Sequence, residues 1–208
     1  MCSNLYAQYT ESSIPINAVD VTGGGSIITN TAIGYQVLFN NTTGNDNVAS
    51  GYKALSSNTT GSNNVANGEA ALYSNTTGEH NTANGSEALT SNTTGNQNTA
   101  NGSQALKSNT TGDYNTANGH EALKSNTTGD SNIANGFRAL TSNTTGGDNV
   151  AIGVESLYSN LSGINNVAIG VGTLRYTTSS NNTATGNQAL FANTTGEKNT
   201  ANGSEALK

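Results

Sequence analysis

The chain has 208 residues and a formal net charge of −6; 32% of it is hydrophobic, 10% charged and 5% aromatic, with no tryptophan. Such a composition excludes a deep apolar core of the ordinary globular kind. With 13 acidic residues against 7 basic ones and no Lys/Arg cluster, it also excludes binding to nucleic acid through phosphates.

At the N-terminus, Cys2 is the single cysteine, so no disulfide can form within the chain. Residues 1–9 have neither a basic start nor an apolar run, so they do not read as a signal peptide, and no stretch approaches a transmembrane helix. A secreted chain trimmed of its leader reads the same way. Cys2 fits either a surface thiol or the lipid-bearing first residue of a bacterial lipoprotein. Residues 1–29 stand apart from the rest of the chain. Ser13 to Val21 is the most β-prone stretch, restricted to an edge by Pro15. Ile14, Ile16, Val19 and Val21 are its candidate subunit contacts. The segment reads either as a cap, which solenoids need, or as a strand pairing with another subunit. Gly23-Gly24-Gly25 forms a joint.

Residues 30–208 are an array. The alanine of an Ala-x-Gly step recurs from Ala32 to Ala201 every 17 residues, except for one interval of 16 between Ala168 and Ala184. Asn stands two before each alanine, Gly two after, and Leu six after. Asn81, Ala83, Gly85 and Leu89 thus recur as Asn98, Ala100, Gly102 and Leu106, and again as Asn115, Ala117, Gly119 and Leu123. The deletion is expected near Arg175-Tyr176. A fixed period of this length signals a repeat architecture, and so strict a register in a chain of low charge argues against disorder.

Alternate residues of a strand face opposite sides. Asn81, Ala83 and Gly85 then share a cramped inner face, and Thr82 and Asn84 an outer one. The Ala88-Leu89 pair supplies the main apolar contact of each repeat, and stacked asparagines form hydrogen-bonded ladders. Helices are disfavoured, because each repeat is rich in Asn, Thr and Gly and far shorter than helical-pair repeats. The expected fold is all-β: a parallel β-solenoid, or β-roll, with one coil per 17-residue repeat and about eleven coils, making a rod on the order of 50 Å long.

Asn92-Thr93-Thr94-Gly95 and its copies are expected to close each coil as turns, with Asn and Gly at positions needing positive φ. Thr93 and Thr94, being adjacent, are expected to point to opposite faces. Each Asn-Thr-Thr is also a glycosylation acceptor pattern, as is Asn101-Gly102-Ser103. The free strand positions are β-branched near the ends of the array (Ile33, Val48, Val150, Ile152, Val167, Ile169) and polar in the middle (Thr82, Asn84, Thr99, Asn101). These end residues form either outward stripes for subunit contact or a fatter core.

No chemistry converges. His80 and His120 occupy different repeat positions, which argues against a metal site or a nucleophilic dyad. Glu87, Glu121 and Glu155 recur on one edge, read as a solvated row. No catalysis and no cofactor are expected.

Asn166-Val167-Ala168-Ile169-Gly170, Asn149-Val150-Ala151-Ile152-Gly153 and Asn30-Thr31-Ala32-Ile33-Gly34 resemble the head repeats of trimeric autotransporter adhesins. That resemblance implies a left-handed parallel β-roll, a three-chain assembly and attachment to host surfaces. The repeat is longer than theirs, and the Asn-Thr-Thr-Gly linker looks like that of phage tail-fibre and secreted bacterial surface arrays. The expected function is a structural, adhesive fibre or filament subunit at the cell surface, outside the cell or on a virion. Its partners are other copies of itself, as a homotrimer or head-to-tail filament, and a host surface or glycan; nucleic acid and membrane insertion are not expected. Ice binding by ranked threonines and a receptor-binding phage tail-fibre shaft are the alternatives.

Overall fold

The computed structural model describes residues 29–208; the segment carrying Ile14, Ile16, Val19 and Val21 lies outside them. Eleven three-residue strands succeed one another in chain order: β1 (Thr31–Ile33), β2 (Val48–Ser50), β3 (Val65–Asn67), β4 (Thr82–Asn84), β5 (Thr99–Asn101), β6 (Thr116–Asn118), β7 (Ile133–Asn135), β8 (Val150–Ile152), β9 (Val167–Ile169), β10 (Thr183–Thr185) and β11 (Thr200–Asn202). They form one parallel sheet in sequence order. Ala83, Ala100 and Ala117 pair in line across β4, β5 and β6. The fold is therefore a parallel β-solenoid in which each coil, numbered by its strand, lies on the one before.

The strands are short because the sheet is only one wall of each coil. The remaining backbone is also bonded from coil to coil: Leu89 N–H donates to the Ala105 carbonyl at 3.0 Å, and Thr93 N–H to the Thr110 carbonyl at 2.9 Å. Buried backbone polar groups must be paired, and a coil without long side chains pairs them axially on every wall.

Inside, Ala83, Ala88 and Leu89 and their copies make one continuous apolar column. Ser156 and Thr173 take the place of Ala88 in two coils, and their hydroxyls donate to the carbonyls of Gly153 (3.0 Å) and Gly186 (2.5 Å). The polar exchange is thus tolerated without an orphaned hydroxyl.

Asn81, Asn98 and Asn115 line the same interior. The Asn81 Oδ1 accepts from the Asn98 backbone N–H at 3.0 Å and from its Nδ2 at 3.2 Å, and Asn98 Nδ2 also donates to the Gly112 carbonyl at 2.8 Å. An amide carries two donors and an acceptor with two lone pairs. Its two donors reach one neighbouring amide and one loop carbonyl while its acceptor serves the next coil; a hydroxyl has one donor and an ionised carboxylate none.

Gly85 has a different reason for recurring than an inner-face position. It is half-buried, with φ at 140°, and an added Cβ would lie 2.6 Å from the Gly102 carbonyl carbon and oxygen. Only glycine accepts both the dihedral and the approach.

The Asn-Thr-Thr-Gly segment differs from expectation. Positive φ falls not on Asn92 or Gly95 but on Glu87 (58°), Leu89 (52°) and Gln97 (55°). Glu87 and Leu89 are the third residues of two successive turns, closed by Ala88 N–H to the Gly85 carbonyl at 3.3 Å and Thr90 N–H to the Glu87 carbonyl at 3.4 Å. A left-handed third residue is what a type II turn requires. A leucine there costs on the order of 1–2 kcal/mol locally. Its burial in the apolar column and its axial backbone bond offset that cost.

Candidate interaction surface

Coils 2 to 8 each bury a second amide that the repeat pattern alone did not reveal. Asn92 is fully buried, and its Nδ2 donates to the Asn75 Oδ1 and the Gly95 carbonyl, both at 2.9 Å. The same bonds recur through Asn58, Asn75, Asn109, Asn126 and Asn143. The acceptor amides of the Asn-Thr-Thr segments at Asn58, Asn75, Asn92, Asn109, Asn126 and Asn143 thus face the interior of the folded coil with their hydrogens engaged. Gly95 recurs because a Cβ there would meet the Gly112 carbonyl oxygen at 2.5 Å.

With Asn92 and Gly95 turned inward, Thr93 and Thr94 both stand at the surface, not on opposite faces of a strand. The Thr93 hydroxyl donates to the Thr110 carbonyl at 3.0 Å. The row Thr43, Thr60, Thr77, Thr94, Thr111, Thr128 and Thr145 is exposed. Among the described residues these hydroxyls donate to no protein group. They form a ridge with one free hydroxyl per coil, spaced ~4.8 Å apart.

The strand wall presents a second ordered surface. Asn67, Asn84, Asn101 and Asn118 form an external ladder, each Nδ2 donating to the next Oδ1 at 2.8–2.9 Å. In coils 1 and 2 and again in coils 7 to 9 this wall turns apolar, before Thr183, Thr185, Thr200 and Asn202 make it polar in coils 10 and 11. Ile33, Val48, Ile152 and Ile169 are exposed, while the column of alanines behind them is unchanged. The β-branched ends are therefore outward stripes, not a fatter core.

The glutamate row is ion-paired rather than simply solvated. Glu87 meets Lys107 at 2.9 Å, Glu155 meets Arg175 at 2.7 Å, and Glu121 meets both Lys124 (2.6 Å) and Arg138 (2.7 Å). Lys124 first, then Arg138, hydrogen-bond the Glu121 carboxylate and lower its pKa to about 2; Lys107 and Gln104 lower that of Glu87.

The short coil departs from the rest at its loop. Thr177 N–H donates to the Leu174 carbonyl at 3.3 Å, as Asn160 N–H does to Leu157 at 3.1 Å, so Thr177 takes the amide position. The deleted residue lies beyond it, between Thr178 and Ser180, rather than near Arg175-Tyr176. Ser179 replaces the loop glycine: its carbonyl accepts from Asn166 Nδ2 at 2.8 Å and its hydroxyl donates to the Gly196 carbonyl at 2.6 Å. The exchange breaks the second ladder, and the Asn160 Oδ1 is left buried without a partner. Outside the same coil, the Arg175 guanidinium lies over the rings of Tyr176 (5.2 Å), Tyr158 (5.5 Å) and Phe191 (5.9 Å).

His80 is exposed, and His120 stacks on Phe137 with 5.6 Å between ring centroids. Among the described residues no group of three or more His, Cys, Asp or Glu is placed to hold a metal ion, and no helix is long and apolar enough to cross a membrane. Cys2 lies outside them.

These features define the molecule as a β-solenoid repeat protein with ordered outer rows. No family, curated protein or solved structure matches the chain.

Proposed function

We propose that this solenoid is a non-catalytic, structural and adhesive component of an extracellular, cell-surface or virion fibre, presenting its outer rows to a host surface or glycan. The observation that carries the reading is the threonine ridge. Identical free hydroxyls on successive coils offer a partner many weak contacts in a fixed line. Once one is made, the others follow at high effective concentration. A rod laddered by amides holds that line straight without a large core. The resemblance of the strand motif to adhesin head repeats supports the same reading.

Binding of the labelled protein to cells and to arrayed glycans tests it. Substitution of Thr77, Thr94 and Thr111 by Lys is expected to reduce binding at least tenfold while leaving the fold intact. Binding unchanged by that triple variant, or no binding to any surface, counts against adhesion through this ridge.

Ice binding is the second reading, supported by the exposed line of Thr94 and its copies, one free hydroxyl per coil. Thermal hysteresis and inhibition of ice recrystallisation, abolished by the same triple variant, would favour it over adhesion.

A further inference from the structure

Over its first nine coils the outer strand wall carries a pattern that is symmetric about the fifth; coils 10 and 11, with Thr183, Thr185, Thr200 and Asn202 outward, are polar and lie beyond it. Its first outward row, read from coil 1 to coil 9, runs from Thr31 through Val48, Val65, Thr82, Thr99 and Thr116 to Ile133, Val150 and Val167. Its second row begins at Ile33, is amide from Asn67 to Asn135, and returns to isoleucine at Ile152 and Ile169. Apolar ends and a polar middle therefore mirror each other across Thr99 and Asn101.

We infer that two copies of this chain pack antiparallel through this wall, about a two-fold axis running along the strand direction at coil 5. Such an axis reverses the order of the coils but keeps each row facing itself. Val48 meets Val150, Val65 meets Ile133, Ile33 meets Ile169, and Thr82 meets Thr116. The asparagines of the middle meet asparagines. Each ladder Nδ2 has spent one hydrogen within its own chain, so a second remains for the partner's amide. Only the Thr31–Val167 and Ser50–Ile152 pairs are unlike. A parallel two-fold packing would instead set the first row against the second, leaving Val65 on Asn67 and Ile133 on Asn135. Burying β-branched groups against amides is the poorer arrangement.

Nine coils about 4.8 Å apart and three residues wide offer roughly 400 Å² per copy, which places the pairing among small, weak interfaces. Exposed apolar side chains gathered on one wall, here Ile33, Val48, Ile133, Ile152 and Ile169, mark an interaction surface. The inference does not depend on what the threonine ridge binds, because the two surfaces lie on different walls of the coil.

Sedimentation velocity of the full chain tests it, at loading concentrations from 1 to ~100 µM, a span that covers weak and moderate dimers. A dimer is expected, with conversion to monomer in the Ile152→Asp/Ile169→Asp variant, whose circular dichroism and melting temperature stay near those of the parent. Orientation is read by oxidative cross-linking in a Cys2→Ser background. Ile33→Cys mixed with Ile169→Cys is expected to give a covalent dimer, and either protein alone is not. A monomer throughout the concentration range, a trimer or open filament, association that survives the double Asp variant, or cross-linking of Ile33→Cys to itself would each overturn the proposal.

Discussion

Asn98 and Gly85 show how little freedom the inner positions have. Removing the Asn98 side chain takes the acceptor from the Asn115 backbone N–H and Nδ2 and the donor from the Gly112 carbonyl. Buried groups left unpaired in this way cost on the order of 2–4 kcal/mol together. Asn98→Ala is therefore expected to lower the denaturation midpoint strongly in urea, whereas Thr94→Val, at an exposed and unpaired hydroxyl, is expected to stay within about 0.5 kcal/mol of the parent. Gly85→Ala combines a φ of 140° with an approach of 2.6 Å to the Gly102 carbonyl and should be worse than either. Equal midpoints for the Asn98 and Thr94 variants would remove the ladder from the account of stability.

Glu121 allows a prediction with a sign. Its carboxylate is held at about 2, below its ordinary value of 4.5, by Lys124 and Arg138. The folded state therefore favours the charged form. The associated stabilisation is fully present above pH 4.5 and disappears as the pH falls through about 2. Because the lysine and arginine side chains are 33% and 39% exposed, solvent screens the pair and the gain is modest. Glu121→Gln should lower the melting temperature slightly at pH 7, and its difference from the parent should shrink steadily from pH 4.5 to pH 2. A difference constant over that range would show that the ion pair contributes nothing.

At the level of one coil, the apolar content is a leucine and two alanines. Leu106 is fully buried between Leu89 and Leu123. Truncation to alanine is expected to cost about 2–5 kcal/mol, because walls bonded axially cannot collapse into the gap. The short coil is the weak one. It replaces the ladder amide by Thr177, leaves the Asn160 Oδ1 unpaired, and ties Tyr176 N–H to the Phe191 carbonyl at a long 3.4 Å. Hydrogen exchange should find the amides of β10 and β11 opening at lower free energy than those of β4 to β6, since stability in a stacked array is set by neighbouring interfaces. Uniform protection from β4 to β11 would show that the break is energetically silent.

For the whole rod, each interior coil meets the same neighbours, so a coil is dispensable as a unit and not as a fraction. Deleting residues 98–114, one 17-residue period that joins Gln97 to Asn115, should give a folded and slightly less stable solenoid by circular dichroism and calorimetry. Deleting 98–112 instead should abolish the cooperative transition, because every later ladder residue is moved out of line. Cooperative melting of both deletions would contradict a register set by the inward ladders.

The sequence by itself determined the period, the parallel stacking and the alternation at the strand. Asn81, Ala83 and Leu89 recur at fixed spacing because each must meet a copy of itself one coil away, so repetition along the chain records contact in space. Other features depended on how the backbone closes the coil. Asn92 recurs as strictly as a turn residue would, and only the closed coil shows that its amide points inward. Thr93 and Thr94 look like alternating strand residues, yet a loop pinned inside by Asn92 and Gly95 puts both at the surface. Positive φ at Leu89 could not be read from a residue that ordinarily avoids it, because axial bonds and burial compensate the strain there. The outward stance of Ile33 and Ile169 was settled by tertiary structure: the alanine before each, Ala32 or Ala168, is the strand residue turned into the core.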